Sequence, residues 1–218
     1  MTVDLASVAD NLAAIRERIA VLGGADVSVL AVTKTFPVEA AAAAVAAGCN
    51  GIGENYAQEL VAKAAGLAAI EPRPDVHFIG HLQSNKVRSL VGIVSVWETV
   101  DRRSIVDELA RRSPGAAVMV QVNVSAEESK SGCRPADAES VVAYAADHGL
   151  AVGGLMTIGR AGDVAATRSG FRELRALADR LGLAQCSMGM SDDFELAVQE
   201  GSTQVRIGSA LFGRRVRP

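Results

Sequence analysis

Eight times along the chain, a short run of β-branched and small apolar residues is followed by a stretch with helical spacing. Parallel strands need long crossover connections, usually helices, so this alternation predicts a parallel sheet covered by helices. The expected strands are Ser28–Val32, Gly51–Gly53, Val76–Ile79, Val94–Thr99, Val118–Val124, Val152–Ile158, Gln185–Gly189 and Gln204–Ile207. Asp101 and Pro135 suit helix starts, and Gly149 and Gly182 suit helix stops. Between Asp163 and Leu181, Phe171, Leu174, Leu177, Ala178 and Leu181 form one apolar face opposite Arg172, Glu173, Arg175 and Asp179. Before the first strand, Leu5, Val8, Leu12, Ile15, Ile19 and Leu22 recur at three- and four-residue intervals, which predicts an amphipathic helix rather than a signal peptide. Eight β-then-α units behind an extra N-terminal helix predict an α/β chain folded as a single (β/α)8 TIM barrel over residues 1–218. A doubly wound open sheet is the alternative.

Composition narrows the function. Lys plus Arg total 22 against 25 Asp plus Glu, with the signs interleaved, so no basic field is available for nucleic acid phosphates. Cys49, Cys133 and Cys186 are far apart and odd in number, which suits neither a disulfide framework nor a metal knuckle and points to a reducing cytoplasm. The longest alanine-rich run, Ala40–Ala47, is too short for a membrane span. No large apolar face stands out from the sequence, which favours a monomer.

In such a barrel the ligand-binding groups project from the C-terminal strand ends. The first strand is followed by Thr33-Lys34-Thr35, the second by Glu54-Asn55-Tyr56, and the third by Gly80-His81-Leu82-Gln83-Ser84-Asn85-Lys86. Directly after Val29-Leu30-Ala31-Val32, Lys34 would place its ammonium in a low-dielectric mouth, which favours a nucleophilic free amine and Schiff-base chemistry. A lysine that snorkels to water or pairs with Glu54 is the competing reading. Ser187 near the end of the seventh strand, and Gly208 and Ser209 after the eighth, have the composition of a barrel phosphate cradle. Each alone reads as a tight turn; their joint placement points to phosphate. Arg206 alternates with Val205 and Ile207, so its guanidinium is expected inside the barrel mouth, with a structural salt bridge as the alternative. His77 reads as a structural hydrogen-bonder and His148 as a solvent-facing helix end, while His81 at a strand end is a weaker ligand candidate. Met156, Met188 and Met190 read as barrel packing, Asp192 and Asp193 as helix-capping acids, and Lys130 as a mobile loop residue. None of these marks a metal site.

Taken in order, Ala31-Val32-Thr33-Lys34-Thr35, Gly51-Ile52-Gly53-Glu54-Asn55-Tyr56, His77 through Lys86, Ser187-Met188-Gly189-Met190-Ser191-Asp192 and Gly201 through Gly208 resemble the pyridoxal phosphate homeostasis proteins. These are barrels related to the N-terminal domain of bacterial alanine racemase, and the resemblance covers nearly the whole chain. It implies a fold type III barrel that holds pyridoxal 5′-phosphate covalently on Lys34. It also implies a ring-nitrogen contact from Arg206, phosphate contacts from Ser187, Gly208 and Ser209, and a contact near the ring from Asn55. An arginine cannot readily give up its proton, so it would keep the ring nitrogen unprotonated and make the cofactor a weaker electron sink than an Asp partner would. The sequence departs from some relatives at Phe36, where they carry a second lysine, and in the short tail Arg214-Arg215-Val216-Arg217-Pro218.

The resemblance implies a non-catalytic protein that buffers, protects or delivers the cofactor, with apo-forms of pyridoxal phosphate enzymes as recipients. Related racemases add a C-terminal β-domain that supplies a second acid-base group, and the chain stops after its eighth unit; a racemase needs proton donors on both faces of the α-carbon. The alternative is a small amino-acid racemase using Lys34 as one base and Tyr56 or His81 as the other. A third reading is a barrel enzyme in which Lys34 forms a Schiff base with a sugar phosphate.

Overall fold

The computed structural model describes residues 5–125, 127 and 130–213. Eight parallel strands close on themselves in chain order: β1 (Ser28–Val32), β2 (Gly51–Glu54), β3 (Asp75–Phe78), β4 (Val96–Val100), β5 (Ala117–Gln121), β6 (Ala151–Met156), β7 (Gln185–Met190) and β8 (Gln204–Ile207). Helices alternate with them: α2 (Val38–Ala46), α3 (Ala57–Ala68), α4 (Ser84–Leu90), α5 (Arg103–Arg112), α6 (Ala138–Asp147), α7 (Val164–Arg180) and α8 (Phe194–Gln199). A further helix, α1 (Leu5–Val21), precedes the first strand, and a single turn, α9 (Ser209–Phe212), follows the last. The expected TIM barrel is therefore the observed fold, and the open sheet is not. Among the described residues no helix is long and apolar enough to cross a membrane.

The period of two along each strand divides the core. In β1, Val29 and Ala31 face outward, and in β8 so do Val205 and Ile207; these four pack against α1, α2 and α8. Leu30 and Val32 face inward with Ile79, Met119 and Met156 to form the apolar filling of the barrel. Val8, Leu12, Ile15 and Ile19 of α1 are buried over the join between β1 and β8. Burial of four such side chains is worth about 6–12 kcal/mol, an upper bound because unfolded chains already bury some apolar surface.

Several boundaries differ from the sequence reading. The fifth strand was expected to reach Val124 but ends at Gln121. Asn123 diverts the chain there: its amide donates to the carbonyls of Glu127 and Lys130, and its Oδ1 accepts from the backbone and hydroxyl of Ser125. Such local side-chain bonds compete with a strand ladder. The fourth strand starts at Val96 rather than Val94, whose N–H remains bonded to Leu90 at the end of α4, and the sixth stops at Met156. Asp101 does not start α5; its carboxylate accepts from Arg102 and from the N–H of Gly132 on a neighbouring loop. Pro135 does open a helical turn, and Gly149 and Gly182 end α6 and α7 with φ of 76° and 66°, values at which a side chain would be strained.

One glycine fixes the rim of the barrel. A Cβ at Gly80, just beyond β3, would lie 1.9 Å from the carbonyl oxygen of Asn55, so only glycine lets the segment after β2 pack this closely. Gly80→Ala should cost about 3 kcal/mol in urea unfolding because backbone, rather than a flexible side chain, must move; a loss well under about 1 kcal/mol would contradict this packing.

Candidate functional site

A cavity of about 690 Å³ opens at the C-terminal ends of the strands. Lys34 from the turn after β1, Asn55 after β2, Arg206 in β8, and Gly208 and Ser209 beyond it all line the cavity; Ser187 does not. Met156, Ile79 and Val32 supply apolar wall, and Met190, Ser191 and Asp192 complete the rim after β7.

Lys34 sits on a locked turn. The Phe36 N–H bonds to the Thr33 carbonyl, and Thr35 has φ of 66°. Positive φ at the third residue of a turn normally calls for glycine, and a β-branched residue there is strained. The strain is held by a charged clamp beneath the turn. The Thr35 N–H donates to Glu59 Oε1 at 2.6 Å. The Lys63 ammonium reaches the Thr33 carbonyl at 2.9 Å, Glu54 Oε1 at 2.8 Å and Glu59 Oε1 at 2.5 Å. The Thr33 hydroxyl donates to the same Glu54 oxygen at 2.7 Å. Glu54 is completely buried, and burial pushes its carboxyl above the ordinary range, partly offset by the hydrogen bonds from Lys63 and Thr33. The carboxylate considered as a partner for Lys34 is thus bonded to Lys63 and Thr33.

Beyond β7 and β8, Ser191 Oγ accepts from the backbone N–H groups of Gly208 at 3.3 Å and Ala210 at 3.2 Å. This hydroxyl, together with backbone donors and Ser209, makes a small polar corner. Ser187, the serine expected at the phosphate, lies elsewhere. Ser187 is fully buried inside the barrel, where its hydroxyl donates to Glu98 and accepts from Arg206. Ser191, just past the end of β7, lines the mouth cavity, and Ser187, earlier in the strand, does not. Arg206 faces inward as alternation requires, donating from Nη1 to Ser187 at 2.8 Å and from Nη2 to the Thr157 carbonyl at 2.6 Å.

The remaining candidates separate by position. His77 makes the expected structural bond, to Glu98. His81 pairs with the Ser131 hydroxyl and Tyr56 is exposed; neither lines the cavity. Lys130, read as a mobile loop residue, donates to the Gly159 carbonyl and pairs with Glu127. Asp193 precedes α8, but its carboxylate takes the Met190 N–H instead of capping the helix, while Asp192 lines the cavity. Burial raises the three thiols, Cys49 and Cys186 to about 11 and Cys133 to about 12, so none is poised as a nucleophile. Among the described residues no group of His, Cys, Asp or Glu is arranged to hold a metal.

Residues 3–216 match the family model of the alanine racemase N-terminal domain. The pyridoxal phosphate homeostasis protein of Pseudomonas aeruginosa is 42% identical over 97% of this chain and 97% of its own. The structure of PipY from Synechococcus elongatus with PLP bound superimposes with a TM-score of 0.83 at 32% identity, covering 94% of this chain and 100% of that one. Alanine racemase from Streptomyces coelicolor shares the fold at a TM-score of 0.78 and 22% identity, with 98% of this chain covered but 59% of the racemase.

The clamp gives a pH-dependent test. Lys63→Met leaves the Glu54 carboxylate buried without its cation and should cost about 3 kcal/mol at neutral pH. Without Lys63 the folded-state Glu54 value rises further, so the folded form binds the proton more tightly than the unfolded chain. The penalty is then complete above the raised value and fades as pH falls through it towards the ordinary carboxylate range. Urea unfolding at several pH values reads this; a loss that does not change with pH would contradict the clamp.

Proposed function

The chain belongs to the pyridoxal phosphate homeostasis protein family, whose barrel is the alanine racemase N-terminal domain, and from that premise we propose that it holds pyridoxal 5′-phosphate covalently, as a Schiff base on Lys34. Its task in this reading is homeostasis of the cofactor in the cytoplasm: buffering, protection, or delivery to apo-forms of pyridoxal phosphate enzymes, without substantial turnover of its own. The observation that carries the proposal is the convergence of Lys34, Asn55, Arg206, Gly208 and Ser209 on one cavity.

The donor set fits the group. A neutral Lys34 amine condenses with an aldehyde, forming a C=N bond and releasing water. Arg206 has only donors, so it would hold a ring nitrogen as an acceptor. Asn55 Oδ1 is buried at the wall without a hydrogen-bond partner, a polar atom suited to a ring substituent. Ser191 and Ser209 would supply hydroxyls to a phosphate beside the Gly208 backbone, whose N–H holds Ser191 in place, and Ser187 supports Arg206 from below. When bound, the cofactor supplies an electrophilic carbon and an electron-withdrawing ring, the latter weakened by an arginine partner.

Racemisation needs a second proton donor across the site from the lysine. Tyr56 and His81, the residues considered for that role, lie off the cavity wall, which supports the carrier reading. The exposed large apolar residues, among them Val21, Val91 and Val164, are spread over separate elements, which suits a monomer.

Wild type with added pyridoxal phosphate should gain visible absorbance that Lys34→Ala lacks; equal absorbance in the variant would move the attachment elsewhere. In deuterated water the loaded protein should exchange the α-proton of L-amino acids no faster than free cofactor. Exchange at catalytic rates would make the protein a racemase.

A further inference from the structure

Beneath Arg206 a polar chain runs down the inside of the barrel, away from the mouth. Arg206 donates to Ser187 Oγ at 2.8 Å, and Ser187 donates in turn to Glu98 Oε2 at 2.6 Å. The other oxygen of Glu98 accepts from Gln204 Nε2 at 2.7 Å and from His77 Nδ1 at 2.5 Å. A carboxylate only accepts, so every proton in the chain is directed towards Glu98. His77 and Gln204 in turn line a second cavity, of about 430 Å³, at the N-terminal end of the strands.

Glu98 has no exposed surface. Burial pushes its carboxyl up, but the hydrogen bond and charge of His77, the charge of Arg206 and the Ser187 hydroxyl more than offset this, so it stays below the ordinary range. Two charged groups face Arg206, Glu98 from β4 and Asp193 from the start of α8. Well-packed apolar residues would usually fill such an interior at no loss of stability, so a buried ion pair joined through one hydroxyl calls for a reason beyond the fold. The chain leads from a fully enclosed carboxylate to the one arginine that lines the cavity among the described residues.

We propose that Glu98 is a positioning residue for the cofactor: through Ser187 it sets the orientation of the Arg206 guanidinium and balances its charge where that group meets the ring nitrogen. This inference rests on the pyridoxal phosphate reading above. Glu98 does not touch the ligand. Glu98→Gln keeps the size and an accepting oxygen but removes the charge, whereas Ser187→Ala keeps the charge and cuts the link to Arg206.

The test titrates wild type, Glu98→Gln and Ser187→Ala with pyridoxal phosphate, following visible absorbance and fluorescence, with thermal unfolding of the cofactor-free proteins in parallel. Both variants should bind about tenfold more weakly, as expected for loss of a charge-assisted bond, and both should shift the absorbance maximum of the bound cofactor in the same direction. Variants that melt at lower temperature but bind with wild-type affinity and an unshifted spectrum would overturn the inference while leaving the cofactor reading intact. If Glu98→Gln does not fold, Ser187→Ala decides alone on the same two readouts. A wild type that takes up no pyridoxal phosphate overturns both.

Discussion

Closure between β1 and β8 is the constraint on which the rest depends. Ser28 pairs with Gln204, Val29 with Val205, Leu30 with Arg206 and Ala31 with Ile207, joining the two ends of the sheet. This pairing puts the turn after β1, with Lys34, beside the strand that carries Arg206 and the polar corner at Gly208. In an open sheet the first and last strands could lie at opposite edges. The closure is reinforced from outside by α1, whose buried face shares one apolar cluster with residues of both strands.

Two charge networks then act behind the cavity wall, one between β2 and α3 and one inside the barrel. The Lys63–Glu54–Glu59 clamp holds the strained turn of Lys34, and Glu98 with Ser187 holds Arg206. Buried charges cost desolvation energy that apolar packing would avoid. Both networks adjoin residues of one cavity, in keeping with the tendency of strain and perturbed titration to gather at functional sites. The fold thus combines an apolar half, Leu30, Val32, Met119 and Met156, with a polar half that supports the wall of the site.

Much of the architecture was legible in the sequence because β-branched runs and intervening helical faces are local patterns. The inward direction of Arg206 followed from strand alternation alone. What depended on tertiary register was not legible. Asn123 reads as part of a strand until its side chain is seen bonding to the following loop. Ser187 and Ser191 belong to the same small-residue segment, and only their height along the barrel separates an interior link from a rim hydroxyl. Lys63 forms an evident helical pair with Glu59, four residues before it, yet its contact with Glu54 requires the folded barrel. Glu98 stands in a strand beside an irregular register between β4 and β5, so its partners on β3, β7 and β8 could not be counted from sequence.

The chain contains four lysines, Lys34, Lys63, Lys86 and Lys130, and Lys34 alone lines the mouth cavity. The most direct measurement loads the protein with pyridoxal phosphate, reduces it with borohydride and maps the modified peptide by mass spectrometry. The account predicts a single stoichiometric adduct on Lys34. An adduct carried mainly by Lys63, Lys86 or Lys130 would contradict it.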